Sequence, residues 1–215
     1  MVEAGLTVLR EEGLAAVTMR RVATALDTGP ASLYVYVQGR DELLGRMLDE
    51  VVAGVPLPEV PEAGDPRWRP RLAGALMDVV HALNAYPGIG RVVLGHIPTG
   101  PACVDFFDRV LGLLLAGGVP RQRAAWGCDL ISLHIGAVTY EVSVAAPQDA
   151  PPDPLQAALD RRHEASGIEE RLGALDPARH PHLAASAGEL RTGSAQERLA
   201  LGIEVLIEGL APRTR

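Results

Sequence analysis

Lysine is missing altogether: all 20 basic side chains among the 215 residues are arginine, which reads as coding bias and carries no mechanism of its own. Cysteine is nearly missing too. Cys103 and Cys128 stand too far apart for a Cys-x-x-Cys metal or redox site, and in a reducing compartment both stay thiols, used as small buried hydrophobes. Aromatic residues make up only 4% of the chain, too few for aromatic-rich β-structure. No apolar run reaches the ~18 residues that suggest a bilayer span, so no membrane partner is expected. The opening residues, Met1-Val2-Glu3-Ala4-Gly5, carry neither the basic nor the long apolar stretch of a secretory signal. A cytoplasmic location is the expectation.

What is present is enough to fold. With 47% hydrophobic and 22% charged residues the chain can bury a core in one or two globular units, and 23 glycines with 17 prolines suit helices interrupted by loops. The net charge of −7 excludes nucleic-acid binding by bulk electrostatics. Distribution matters more than the total. Residues 1–54 hold five arginines against eight acids, yet the window 18–40 holds Arg20, Arg21 and Arg40 against Asp27 alone.

Apolar residues recur at helical spacing throughout and nowhere alternate over a sustained stretch, which predicts an all-α chain. A first helix is expected from Val2 to Glu12, ended by Gly13. Thr18 is a natural N-cap for a second, whose Met19, Val22, Ala23 and Leu26 form one apolar stripe. Asp27-Thr28-Gly29-Pro30 leaves room only for a tight turn in which Asp27 tolerates the left-handed conformation. Gly29 as N-cap and Pro30 as N1 then start a short third helix to Val37, with Leu33 and Val37 inward. Arg40 to Val55 predicts a longer fourth. Prolines 56, 58, 61, 66 and 70 mark a stiff linker between a first unit, residues 1–55, and a larger helical one, residues 71–215. In the second unit, helices are expected over Leu72–Ala85, Ala102–Ala116, Arg121–Ala145, Leu155–Leu175 and Ala195–Leu210, with a loop at prolines 147–154.

Two helices joined by a turn of three or four residues, the second short and studded with small polar groups and tyrosines, describe a helix-turn-helix. Such a helix fits a major groove about 12 Å wide. Arg20 could then reach a guanine or a phosphate, and Arg40 a phosphate. Spacing alone leaves a purely structural helical corner equally open.

The stretch Gly13-Leu14-Ala15-Ala16-Val17-Thr18-Met19-Arg20-Arg21-Val22-Ala23, then Leu26, then Ala31-Ser32-Leu33-Tyr34-Val35-Tyr36-Val37 and Arg40-Asp41-Glu42-Leu43-Leu44, resembles the DNA-binding signature of tetracycline-repressor-like transcriptional regulators. Leu94-Gly95-His96-Ile97-Pro98-Thr99, Gly117-Gly118-Val119, His180-Pro181-His182-Leu183 and the closing Glu204-Val205-Leu206-Ile207-Glu208-Gly209-Leu210 resemble the same family's ligand-binding, dimerising domain. The resemblance implies a three-helix helix-turn-helix domain followed by a helical ligand-binding and dimerisation domain. It implies that Thr18, Arg20, Pro30, Ala31, Ser32, Tyr34, Tyr36 and Arg40 face DNA, although Tyr34 could equally pack its ring in the bundle and offer only its hydroxyl. The partners it implies are double-stranded, palindromic operator DNA, a second copy of the chain and a small hydrophobic or aromatic ligand. Members of that family usually carry further, often basic residues ahead of helix one, so a weaker hold on DNA is expected of the sequence as it stands.

In the tetracycline-binding members of that family, a histidine just before the Leu-Gly pair helps hold a magnesium–drug chelate. Val93 takes that place here and cannot ligate a metal, which implies an organic ligand held without metal or cofactor, its polar atoms met by Tyr86, His96 or His134. Ordinary core packing is the competing role for each of these three. The long helices Arg121–Ala145 and Ala195–Leu210 are the expected dimer interface, through Leu130, Ile131, Leu133 and Ile135 on one and Leu199, Ile203, Leu206 and Ile207 on the other. His180 and His182 lack further ligands at metal spacing and suit a surface loop. Asp129, Ser132 and His134 share one helix without a nucleophile elbow, so no enzyme is expected. A carrier of the same fold that lacks DNA binding is the alternative.

Overall fold

The structure is a computed structural model that describes residues 1–86, 88–145 and 153–212. Among these residues every regular element is helical. Helix α1 (Val2–Glu12) ends where the Gly13 N–H returns to the Leu9 carbonyl, and a single 3₁₀ turn, Leu14–Ala16, leads to α2 (Met19–Ala25). Helix α3 (Pro30–Leu33) opens with Gly29 as N-cap and Pro30 at N1, and Asp27 adopts a φ of 52° in the turn before it. It is shorter than its apolar spacing predicts. After Leu33 the chain continues as a turn through Tyr36, and the Val37 N–H still reaches the Leu33 carbonyl at 3.1 Å. Leu33 and Val37 are buried as expected, whereas Leu26, past the end of α2, is exposed.

Helix α4 (Arg40–Ala53) belongs to both halves of the molecule: it packs on α1 and also on α5 (Trp68–Asn84), α6 (Ile89–Gly95) and α7 (Pro101–Ala116). One apolar core therefore runs from Leu9 and Val22 through Leu44 and Leu48 to Leu113 and Ile203. The proline-rich stretch before α5 is fastened, since the Gly64 N–H bonds the Ala116 carbonyl at 2.8 Å and Arg71 reaches Glu59. Helix α5 begins four residues before the expected Leu72. Pro70 is its third residue, and the first four N–H groups of a helix have no internal partner to lose. Burying the Trp68 ring secures that extra turn.

Helix α8 (Arg121–Ala145) is the central column, packed against α5, α6, α7, α9 (Pro154–Ser166) and α12 (Ala195–Leu210). Its crossing with α6 is close enough that a Cβ on Gly90 would stand 2.4 Å from the backbone of Thr139 and Tyr140. The single helix expected over Leu155–Leu175 is two, α9 and α10 (Ile168–Gly173), divided at Gly167 by a left-handed φ of 57°. A short α11 (Pro181–Ala185) precedes α12, which starts with a full capping box between Ser194 and Glu197. The expected loop at prolines 147–154 falls for the most part outside the described residues.

Candidate DNA-binding surface and ligand cavity

The first 55 residues hold α2 and α3 rigidly while leaving one face open. The Thr18 hydroxyl accepts the Arg21 N–H at 3.1 Å, which caps α2 as expected. Arg21 is spent on Glu12 of α1, whose carboxyl it holds below the usual range, mainly by hydrogen bonding. Arg20 is exposed and makes no ion pair among the described residues. Beside it, Pro30, Ala31, Ser32, Tyr34 and Tyr36 are all exposed. The Tyr34 ring is thus not packed into the bundle. Val35, not singled out in the sequence beyond its place in the signature, is more exposed than either tyrosine, at 80%. Small side chains on α3 followed by tyrosines in the turn after it, all exposed, match the needs of close approach to base edges.

Arg40 departs from its expected role. Its Nε donates to the Val17 carbonyl at 2.6 Å and its Nη2 to the Leu14 carbonyl at 2.9 Å, with the side chain half-buried. Leu14 opens the 3₁₀ turn before α2 and Val17 follows it, so the guanidinium brackets that turn: it adds a second donor to the Leu14 carbonyl, which already accepts the Val17 N–H at 3.2 Å, and supplies one to the Val17 carbonyl. At the start of α4 the Glu42 carboxylate accepts the Gln38 N–H at 2.7 Å and pairs with Arg46, which lowers its pKa.

A cavity of ≈ 30 Å³ lies where α4–α8 converge. Helix α4 contributes Leu48 and Val52, α5 Val79 and Leu83, α6 Val93, and the wall is completed by Pro98, Cys103, Phe106, Phe107, Ser132 and Ile135. The Ser132 hydroxyl and the Cys103 thiol are its side-chain polar atoms, and burial pushes that thiol up to about 12, so it stays protonated. Val93 therefore lies in the wall.

Residues 1–47 match the model described as bacterial regulatory proteins, tetR family, and residues 60–214 match the tetracyclin repressor-like C-terminal domain. The chain belongs to the tetR family of bacterial regulatory proteins. As a tetR-family member it is a transcriptional regulator with a helix-turn-helix DNA-binding unit and a helical C-terminal domain. Its similarity to the HTH-type transcriptional repressor DrrR1 of Streptomyces coeruleorubidus is 33% identity over 148 residues, 69% of this chain and 52% of that protein, so the matched stretch spans about half of DrrR1. To the tetracycline repressor class A from transposon 1721 of Escherichia coli it is 26% identical over 215 residues, 99% of this chain and 89% of the other. The crystal structure of apo ActR from Streptomyces coelicolor superposes with a TM-score of 0.80 at 32% identity, covering 97% of this chain and 91% of ActR. ActR has also been crystallised with actinorhodin.

In this tetR-family chain the three polar groups expected around a ligand are not brought together, and none lines the α4–α8 cavity. The Tyr86 hydroxyl accepts from Arg10 of α1 at 3.4 Å, with the guanidinium 5.0 Å from the ring centre, so Tyr86 ties α5 to α1. His96 turns Nδ1 back to the Val92 carbonyl, 3.3 Å away. His134 lies on the other side of α8, and its Nε2 is buried against Gly202 of α12 without a hydrogen-bond partner. Phe106 and Phe107 converge with Leu48, Val79 and Ile135 through tertiary packing, which sequence spacing does not show. His180 and His182 are exposed, and no group of three metal-ligating side chains occurs among the described residues.

The residues expected at the dimer face divide: Leu130 and Leu133 are exposed and the others are not. Ile131, Ile135, Leu199, Ile203 and Ile207 are buried in the subunit's own core, and Leu206 is partly buried against it. Among the described residues the large hydrophobic side chains left outside are Trp126, Leu130, Leu133 and Tyr140 on α8 and Leu201 and Val205 on α12. No helix among the described residues is long and apolar enough to cross a membrane.

Proposed function

We propose that the chain is a cytoplasmic transcriptional repressor that binds palindromic operator DNA as a homodimer and is released by a small hydrophobic or aromatic molecule. The supporting observation is the double duty of α4: its Arg40 clamps the turn before α2, while its Leu48 and Val52 form part of the cavity wall. A cavity of ≈ 30 Å³ holds little more than a water molecule, so a larger occupant displaces its walls, α4 among them. Whatever moves α4 moves the DNA-reading unit. The apolar lining, with Val93 in it, favours an organic ligand held without metal. Pairing through the exposed faces of α8 and α12 would set two α3 helices on successive major grooves, roughly 34–36 Å apart.

The test is retention of genomic fragments on the immobilised protein across a salt series, with and without a panel of apolar aromatic compounds. A repressor retains a discrete set of palindromic fragments, loses them as salt rises and releases them to at least one compound. Retention that is absent or indifferent to sequence at every salt concentration would overturn the DNA-binding role in favour of a carrier.

A further inference from the structure

Leu33 and Val37, one turn apart, both point into the core. Successive residues of a helical turn are set about 100° apart, so Ala31 and Val35, each two positions before one of these anchors, point the opposite way, out of the DNA-binding unit. The Val37 N–H on the Leu33 carbonyl keeps the spacing helical through Val35. Tyr34 and Tyr36 flank Val35 on either side, and all three are exposed. Three consecutive exposed apolar or aromatic side chains invite association, and surfaces avoid them unless a partner covers them. In a helix-turn-helix unit that partner is duplex DNA.

The chemistry of this tip limits which base it reads. Residues 28–37 hold no charged side chain and no amide. In the major groove guanine is read by arginine or lysine, adenine by asparagine or glutamine, and the cytosine amino group by a carboxylate, so α3 and its following turn offer none of these three readings. Thymine is distinguished by its C5 methyl, which takes apolar contact. Val35 presents two methyl groups at the apex, with the Ala31 methyl one turn before it. The polar groups around them are hydroxyls, which pair with any base and discriminate little. The Thr28 hydroxyl donates to that of Ser32 at 3.1 Å, and those of Tyr34 and Tyr36 suit the phosphates on the two groove walls. Of the five arginines in residues 1–54, Arg10, Arg21, Arg40 and Arg46 are held by groups of the protein, which leaves Arg20, on α2.

We propose that Val35 is a specificity-determining residue whose methyl groups pack on the C5 methyl of a thymine, so that each operator half-site carries a thymine at one fixed position. This role deepens the operator binding proposed above and rests on it.

Duplexes selected from a random pool by the full chain give the half-site, and fluorescence anisotropy then compares them with versions in which single thymines are replaced by deoxyuridine, which lacks only the C5 methyl. One thymine per half-site is expected to respond. Its replacement should weaken binding about fourfold, the worth of one buried methyl group, and roughly fifteenfold when both half-sites are changed. Val35→Ser, at an exposed position, should keep the melting temperature and bind the thymine and deoxyuridine duplexes equally, whereas Val35→Ile should keep the preference for thymine. The role of Val35 alone is overturned if the selected half-sites share no thymine, if no deoxyuridine replacement weakens binding more than twofold, or if Val35→Ser still prefers thymine. Selection of no sequence at all overturns operator binding itself, and the role of Val35 with it.

Discussion

The Asp49 carboxylate of α4 accepts the backbone N–H of Cys103, 2.9 Å away, at the third position of α7. It acts as an N-cap supplied by a different helix. Because Cys103 also lines the apolar cavity, one hydrogen bond joins that wall to the helix that carries the DNA-binding unit.

Asp49→Ala should therefore cost about 1 kcal/mol of stability, the usual worth of an N-cap, and also blunt release of DNA by ligand. Asp49→Asn keeps an acceptor and should retain most of both. Urea unfolding checks the first effect and fluorescence anisotropy on a retained operator fragment the second. A stable Asp49→Ala variant with a normal ligand response would show that the bond transmits nothing.

Arg20 and Arg40 should separate cleanly. Arg40→Ala takes from the Val17 carbonyl its Arg40 donor and from the Leu14 carbonyl its second donor, and should lower stability by roughly 1–3 kcal/mol, with DNA affinity lost through the distorted turn. Arg20→Ala removes an exposed cation and should leave the melting temperature unchanged while weakening DNA binding, either at one base pair or, for a phosphate contact, at all sequences with a flatter salt slope. Equal melting curves for the two variants would contradict the clamp assigned to Arg40.

Val205 is 61% exposed on α12, its neighbour Leu206 partly buried. Val205→Arg should yield folded monomers because the charge would be trapped only in the assembled dimer. Leu206→Arg should damage the subunit itself. Light scattering with circular dichroism distinguishes the two, and a Val205→Arg dimer would move the interface elsewhere.

Burial lowers the pKa of His134 below its ordinary 6.5. The folded chain holds this imidazole neutral while the unfolded chain binds a proton below pH 6.5, so the contribution to stability is full above that pH and is lost as pH falls toward the folded value. His134→Leu should flatten the decline in melting temperature below pH 6.5 relative to the parent chain. An unchanged pH profile would show that the imidazole is solvated after all.

The DNA-binding unit was the more legible part because its signals are local. Thr18, Asp27, Pro30 and Gly13 each act within a few residues, and each does in the structure what its chemistry implies. Helix α6 was unreadable for the opposite reason: Ile89–Gly95 spans seven residues, two of them glycine, and is held mainly by α8. The expected dimer face mixed exposed Leu130 and Leu133 with buried Ile131 and Ile135 because α8 is apolar on several sides, so periodicity could not tell the side facing the core from the side left open. The cavity-lining residues did not stand out for a related reason. Polar handles draw attention in a sequence, whereas this cavity is bounded by Leu48, Val79, Phe107 and other side chains indistinguishable from core until five helices meet.

The crossing of α6 and α8 also bears on how such a sensor could be retuned. A Cβ at Gly90 would collide with the α8 backbone, and one at Gly136 would stand 2.6 Å from Leu94. With the spacing of those two helices fixed at its minimum, new specificity has to come from the lining side chains. A mutational library aimed at a different inducer would therefore vary Val79, Val93, Phe107 and Ser132 and hold both glycines constant.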